Sequence, residues 1–333
     1  MNIQGPTLFV ADADVEVLAQ WPVAVESLRK AYASPMTAEM VPPRTMARGE
    51  GFWLRSLCAV SPSGEYMGCK LIAASPMIHR ASYLISLFDQ RTMDLAALID
   101  GSRVTGIRTA ATAAVAVDLL AHTRPLAVAV IGSGFEARGL LQALMATRAV
   151  ASVRVFSPTP ASRARFADSF RAGHPELDIS AADSAQAAVD AADVVLCAAR
   201  SRDESPVLHG DWLSAGATVV SIGSTLPEQR EVDEATMARA GRIVADMPEE
   251  FAHDTGDAIA AAKAGIDIAG KLVSLADVAC GRAAGRRTAE EIILYKSVGS
   301  ALQDVVIAEM LLHRAQEAGR YTVLPSTALT IDK

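Results

Sequence analysis

The chain has 333 residues, of which 51% are hydrophobic and 21% charged, and its net charge is −7. That balance excludes a disordered chain and provides ample core material, and at ~150 residues per domain the length suggests about two domains. Thirty-one Lys and Arg stand against thirty-eight Asp and Glu with no basic block of five or more, which argues against nucleic-acid backbone binding but not against a small anion pocket.

Residues 7–10 (TLFV) read as a short opening strand, and apolar residues at helical spacing predict one helix from Asp12 to Ala33. The opening segment is acidic and lacks a basic region followed by an apolar core, so no secretory leader is expected. From Pro42 to Asp100, short apolar runs (FWLRSLCAV, MGCKLIAA, SYLISLFD, LAALIDG) alternate with Gly, Pro, Ser and Asp, which predicts an antiparallel meander. An Ala-rich helix is expected from Thr109 to His122, with Arg108 at its start.

At Pro125 the pattern changes. LAVAVIGSG reads as a buried strand running into a glycine turn, followed by a helix over Glu136–Ala146. Strands SVRVFSP, LDISAA and DVVLCAA then alternate with helices PASRARFADSF and SAQAAVDA. After a polar loop to Gly210, DWLSAG reads as a short helix, and ATVVSIGS and GRIVADM as strands. Such alternation predicts parallel βαβ units. The stretch from Thr288 to Ala318 reads as helix and is expected to pack back on the first domain.

Cys58, Cys69, Cys197 and Cys280 form neither a C-x-x-C pair nor a zinc spacing, so reduced, mostly buried thiols and a cytoplasmic location are expected. The six histidines show no metal-ligand spacing, and none is assigned to catalysis. No apolar run reaches the ~18 residues needed to cross a bilayer, so no membrane partner is expected.

Gly132-Ser133-Gly134-Phe135-Glu136-Ala137 follows a predicted strand and opens a predicted helix, matching G-x-G-x-x-G/A. Gly132 permits the tight turn, Gly134 lets a pyrophosphate approach the backbone, and Ala137 allows close helix–strand packing. An NAD enzyme would carry Asp or Glu at the end of the next strand for the ribose hydroxyls. Here the segment is Phe156-Ser157-Pro158-Thr159. Ser157 and Thr159 can donate to a phosphate, and Arg163 lies one helical turn beyond, so NADP is favoured with NAD still possible. Alternatively, Arg163 is a solvated helix arginine.

Three cations sit in unusual surroundings: Arg44 in PPRT, Lys70 inside the strand run GCKLIAA, and Arg108 in GIRTAAT. A lysine in an apolar strand is costly unless paired, and an arginine at a helix start is unfavourable unless an anion is close. Singly, each reads as a surface-edge cation. Together they can clamp one substrate carboxylate.

The runs PPRT, GCKL, LFD, LIDGSRVTGIRTAATAA, IGSGFEARG, SPVLHGDWLSAGATVVSIGS, REVD and YKSVGSALQD occur in an order that resembles the ornithine cyclodeaminase/μ-crystallin family. The resemblance spans nearly the whole chain. It implies an α/β homodimer whose Rossmann-type dinucleotide domain (116–299) is inserted in an α+β substrate and dimerisation domain (1–115 and 300–330). It implies that Arg44, Lys70 and Arg108 hold the substrate carboxylate. The family's cofactor contacts fall on Thr109, Gly134, Phe135, Glu136, Ser157, Ala199 and Ser297, and Ser224 is expected to join them.

One departure bears on the reaction. Ornithine cyclodeaminases carry an aspartate where this chain has Thr225, in Ile222-Gly223-Ser224-Thr225. A threonine does not serve as a carboxylate base. Reduction of a preformed cyclic imine needs less, so the resemblance points to a ketimine reductase with Lys70, Arg108 and Thr225 at the reacting centre. The alternatives are a cyclodeaminase, an alanine or opine-type dehydrogenase, or a non-catalytic NADP-binding protein. Glu228 is the nearest candidate to replace the missing carboxylate.

Overall fold

A computed structural model describes residues 5–201, 203–325 and 328–331. The first four residues of the segment read as lacking a leader, and residue 202 of the polar loop before Gly210, lie outside the described residues. The chain divides into two compact units, residues 1–108 with 300–333, and residues 109–299.

The first unit is built on a seven-stranded sheet. Its strands are β1 (Leu8–Val10), β2 (Thr45–Gly49), β3 (Phe52–Val60), β4 (Tyr66–Ser75), β5 (Arg80–Asp89), β6 (Leu95–Asp100) and a short pair of residues, Thr322–Val323. The spatial order is Thr322–Val323, β1, β6, β5, β4, β3, β2. From β2 to β6 every neighbour is antiparallel, as a meander requires, and β1 joins β6 in parallel. Side chains alternate between faces along each strand. Leu57, Ala59, Ile72, Ile85, Leu87, Ala97 and Ile99 are buried on one face, and Lys70 is buried among them. The Ala301–Ala318 helix packs across β3, β4 and β5 and against the Trp21–Ala33 helix.

Two expectations for this unit need correction. The helix expected over Asp12–Ala33 is two helices, Asp12–Leu18 and Trp21–Ala33. Pro22 has no N–H to donate and its ring clashes with the carbonyl of residue 18, so the first helix ends there and the second begins with the proline in its first turn. The Ala-rich helix begins at Gly101, not Thr109, directly after β6, where the Asp100 carboxylate accepts the Ser102 N–H at 2.9 Å. Arg108 therefore lies two turns inside the helix rather than at its start.

The second unit is an eight-stranded, wholly parallel sheet. Its strands are β7 (Leu126–Ile131), β8 (Val150–Phe156), β9 (Ile179–Ala181), β10 (Val194–Cys197), β11 (Thr218–Ser221), β12 (Arg242–Ala245), β13 (Leu272–Ser274) and β14 (Ile293–Lys296). The order is β13, β12, β14, β11, β10, β7, β8, β9. The central strands are short continuous apolar runs buried on both faces, as in helix-covered parallel sheets. After β9 the chain returns to the far side of β7, which makes the β7/β10 gap the topological switch point where dinucleotides bind.

The helix expected over Thr288–Ala318 is also corrected. ILYK forms β14 between β11 and β12, and the helix starts at Ala301. Gly299, at φ +82°, lies in the connection between them. The expectation of mostly buried cysteines is corrected too: Cys197 on the central strand β10 is buried, whereas Cys69 and Cys280 are half-buried and Cys58, on the outer face of β3, is exposed. Among the described residues, no helix is long and apolar enough to cross a membrane and no cluster of side chains suits a metal ion.

Candidate active site

In the first unit, β4 carries Lys70 onto the buried face, leaving it 1% exposed. A cation there requires partners. Its Nζ donates to Asp304 Oδ1 at 2.8 Å and to Thr105 Oγ1 at 2.6 Å, and lies 5.6 Å from the centre of the Tyr83 ring. Asp304 stands in the first turn of the Ala301–Ala318 helix, where the helix dipole favours an anion. The same Oδ1 lies 3.4 Å from Arg108 Nε. Arg108 Nη1 donates to Gln303 Oε1 at 2.9 Å, and Gln303 Nε2 donates to the Tyr32 hydroxyl at 2.9 Å. Lys70 and Arg108 thus converge on one buried carboxylate, and the sum of the three charges is +1.

Arg44 stands one residue before β2. Thr45 pairs with Ser56 across β2/β3, and Leu57 pairs with Lys70 across β3/β4. Arg44 itself is half-buried and lies outside the paired residues of β2.

The second unit's carboxyl edge holds the remaining candidates. Gly132 closes β7 at φ +116°, and a Cβ there would lie 2.6 Å from the Ala198 carbonyl oxygen. At Gly134 a Cβ would meet nothing within 4 Å, so this backbone is open to a ligand. The Phe135–Met145 helix begins there without a side-chain cap, leaving its first N–H groups for an anion. This cradle fits a dinucleotide pyrophosphate. Phe135 is exposed, and Glu136 lies in the first turn of the helix.

Ser157 is buried just after β8 and its hydroxyl meets that of Ser133 at 3.0 Å, while Thr159 is exposed and precedes the Pro160–Gly173 helix. The Arg163 guanidinium folds back to the Ser157 carbonyl at 3.3 Å, over the Phe156 ring at 5.4 Å, with the exposed Asp183 carboxylate 3.4 Å away. Ala199 follows β10, Ser224 and Thr225 follow β11, and Ser297 follows β14, whereas Thr109 is buried in the Gly101–Leu120 helix. Ser297 Oγ donates to Asp246 at 2.7 Å.

Thr225 is held by Gln229, whose Oε1 accepts both its N–H at 2.9 Å and its hydroxyl at 3.1 Å. Glu228 is exposed.

Asp304 and Gln303 were not among the expected site residues. The available signal was an acidic side chain in a run of apolar helical positions, ALQDVVIAEMLL. Glu231 and Lys296, buried behind Gly223, were likewise not anticipated.

The model of the ornithine cyclodeaminase/mu-crystallin family matches residues 9–319. A Δ1-pyrroline-2-carboxylate reductase of Bacillus cereus is 27% identical over 291 residues, covering 86% of this chain and 85% of the relative. Ketimine reductase mu-crystallin of Rattus norvegicus is 28% identical over 323 residues, covering 92% and 97%. The structure of Thermococcus litoralis Δ1-pyrroline-2-carboxylate reductase in complex with NADH and L-proline superposes with a TM-score of 0.86 at 26% identity, covering 96% of this chain and 100% of that one.

Proposed function

We propose that this chain, which belongs to the ornithine cyclodeaminase/mu-crystallin family, reduces a cyclic ketimine 2-carboxylate at the expense of NAD(P)H. It is an NAD(P)-dependent oxidoreductase with a Rossmann-type unit. The substrate is Δ1-pyrroline-2-carboxylate or Δ1-piperideine-2-carboxylate, and the product L-proline or L-pipecolate. The observation that carries this reading is the Lys70–Asp304–Arg108 cluster. Two cations offset by one buried anion suit a single carboxylate, and relatives named for cyclic imino acid reduction support that substrate class.

Arg44, Lys70 and Arg108 bind the carboxylate. Lys70, fixed by Asp304 and Thr105, polarises the imine and supplies a proton to its nitrogen. The cofactor supplies the hydride. The Gly132–Gly134 turn holds the pyrophosphate, with Thr109, Phe135, Glu136, Ala199, Ser224 and Ser297 as further contacts. Ser157, Thr159 and Arg163 give NADPH its preference. Thr225 shapes the pocket. Because Thr225 replaces an aspartate and Glu228 is exposed, release of ammonia from ornithine is not expected. The outer face of the first unit's sheet exposes Phe52, Leu54 and Leu71, and supports a homodimer. Light scattering should return twice the chain mass.

Absorbance at 340 nm tests the activity, with NADPH and then NADH, on both imines. Rapid oxidation is expected with at least one. Absence of oxidation with either imine, together with ammonia release from ornithine or NADH formation from alanine, would replace the reductase by another amino acid dehydrogenase or a cyclodeaminase.

A further inference from the structure

Three connections leave the carboxyl edge of the parallel sheet side by side: Gly132 after β7, Ala199 after β10 and Gly223 after β11. One fully buried carboxylate ties two of them together. Glu231 Oε1 accepts the Ala199 N–H at 3.0 Å, and Oε2 accepts the Gly223 N–H at 2.7 Å and the Ser221 hydroxyl at 2.5 Å. The fit is close. A Cβ on Gly223 would strike Glu231 Oε1 and lie 3.1 Å from the Ala199 carbonyl oxygen.

A fully buried cation lies beside this carboxylate. Lys296 donates to Ser221 Oγ at 2.7 Å and to Asp257 Oδ2 at 3.2 Å, and lies 3.9 Å from Glu231 Oε2. Asp257 Oδ1 accepts the N–H groups of Glu231 and Val232 at 2.9 and 3.3 Å, and Arg230 Nε at 3.3 Å. The two buried carboxylates thus face Lys296 and, at the edge of the core, Arg230, which also pairs with Glu234 at 3.1 Å. Apolar side chains of equal volume would stabilise such a core as well or better, so the network's value lies in what it positions.

The strand order says what that is. The pyrophosphate belongs at the helix after β7 and the adenosine toward β8, so the nicotinamide half runs the other way, over β10 and β11. We propose that Glu231 is a positioning residue for the nicotinamide half of the dinucleotide, setting the Ala199 and Gly223 backbones against which that ring lies; this rests on the dinucleotide reading above. Burial and the Asp257 charge push the Glu231 pKa up, Lys296 favours its ionised form against them, and Asp257 fixes it by accepting the Glu231 N–H.

Glu231→Gln is the direct test. Either amide orientation turns an NH2 group toward a backbone N–H, so one of the two ties is lost while volume is kept. NAD(P)H binding is followed by nicotinamide fluorescence, and binding of the matching ADP-ribose fragment, which lacks nicotinamide, by calorimetry. The dinucleotide Kd should rise about tenfold and kcat fall about tenfold, the loss expected for one charged hydrogen bond. The fragment Kd and the imine KM should stay within about twofold.

Unchanged dinucleotide binding, or equal loss of dinucleotide and fragment, would overturn the proposal. Gly223→Ala perturbs the same contact with every charge intact and should reproduce the split. If Glu231→Gln does not fold, Gly223→Ala decides alone, by the same criteria. The binding measurements need no turnover, so they judge Glu231 even if the imine is not the substrate. A wild-type protein that binds neither dinucleotide would overturn the underlying reading instead.

Discussion

Asp304→Asn should make the protein less stable yet bind the substrate carboxylate more tightly. Asp304 and Lys70 are each 1% exposed and meet at 2.8 Å, with Arg108 Nε 3.4 Å from the same oxygen. Removing one partner of a buried pair costs about 3–5 kcal/mol; because asparagine keeps an acceptor, about 2–3 kcal/mol is expected here. For a chain of 333 residues that corresponds to a melting-temperature loss of roughly 3–4 °C. A ligand carboxylate on the other side of Lys70 Nζ would lie about two hydrogen bonds, ~5.6 Å, from Asp304 Oδ1. At an effective dielectric of ~20 the repulsion between the two anions is about 3 kcal/mol, an upper bound of roughly 100-fold in affinity. The assay is thermal unfolding across a titration of pyrrole-2-carboxylate, a planar unreactive mimic. The variant should melt lower without ligand, regain most of the deficit at saturation, and show a Kd at least about tenfold lower. A variant that melts like the wild type, or binds the mimic more weakly, would refute the idea that Asp304 offsets the charge of Lys70 and Arg108.

Arg108→Ala should raise the imine KM by roughly 100-fold while the dinucleotide Kd stays within about twofold, because the role proposed for Arg108 is a charged contact to the substrate and not to the cofactor; steady-state kinetics and fluorescence titration check both halves. Arg163→Ala should raise the NADPH KM by about tenfold and leave NADH within about twofold; equal effects on both cofactors would return Arg163 to the solvated surface. Asp233 caps the Glu234–Arg239 helix through Thr236 at 2.8 Å and accepts the Gly210 N–H at 2.9 Å. Burial raises its pKa, but hydrogen bonds from Thr236, Gly210 and His209 outweigh that and hold it below the usual aspartate value. Its stabilisation is therefore present above the unfolded-state value of about 3.9 and is lost as the pH falls through the lower folded-state value. Asp233→Ala should cost about 1–2 kcal/mol in urea unfolding at pH 7, and the gap to wild type should narrow below about pH 4.

What was legible from the sequence was local. The β7 strand, the glycine turn and the following helix are contiguous, and each residue's requirement shows in the turn itself: Gly132 at φ +116°, Gly134 with its face open. The meander was equally plain, since antiparallel strands joined by short turns keep their partners near in sequence. Parallel pairing hides its partners. β14 is four residues long and lies between β11 and β12, whose paired residues come about 75 and 50 positions earlier in the chain. Its ILYK run, next to a long helical pattern, carries no periodicity that separates strand from helix. Pro22 was a visible break, and apolar spacing on both sides of it concealed the end of the first helix.

The anions followed the same rule with larger consequences. Lys70 could be singled out because a cation in an apolar strand needs a partner, and Arg108 was singled out as an arginine at a helix start, where the structure does not place it; neither reason says which of thirty-eight acidic residues is the partner. Asp304 is 234 positions from Lys70. Only the packing of the Ala301–Ala318 helix on β4 and β5 joins them. Glu231 is more deeply hidden still, because the two loops it ties together are held through backbone N–H groups, and a backbone donor leaves no mark in a sequence. Cations that can contact a ligand were therefore readable as exceptions to local apolar patterning. The carboxylates that orient them became visible only once distant segments were brought together. It follows that substitutions at Asp304 and Glu231 are the ones whose effects sequence patterning alone would least anticipate.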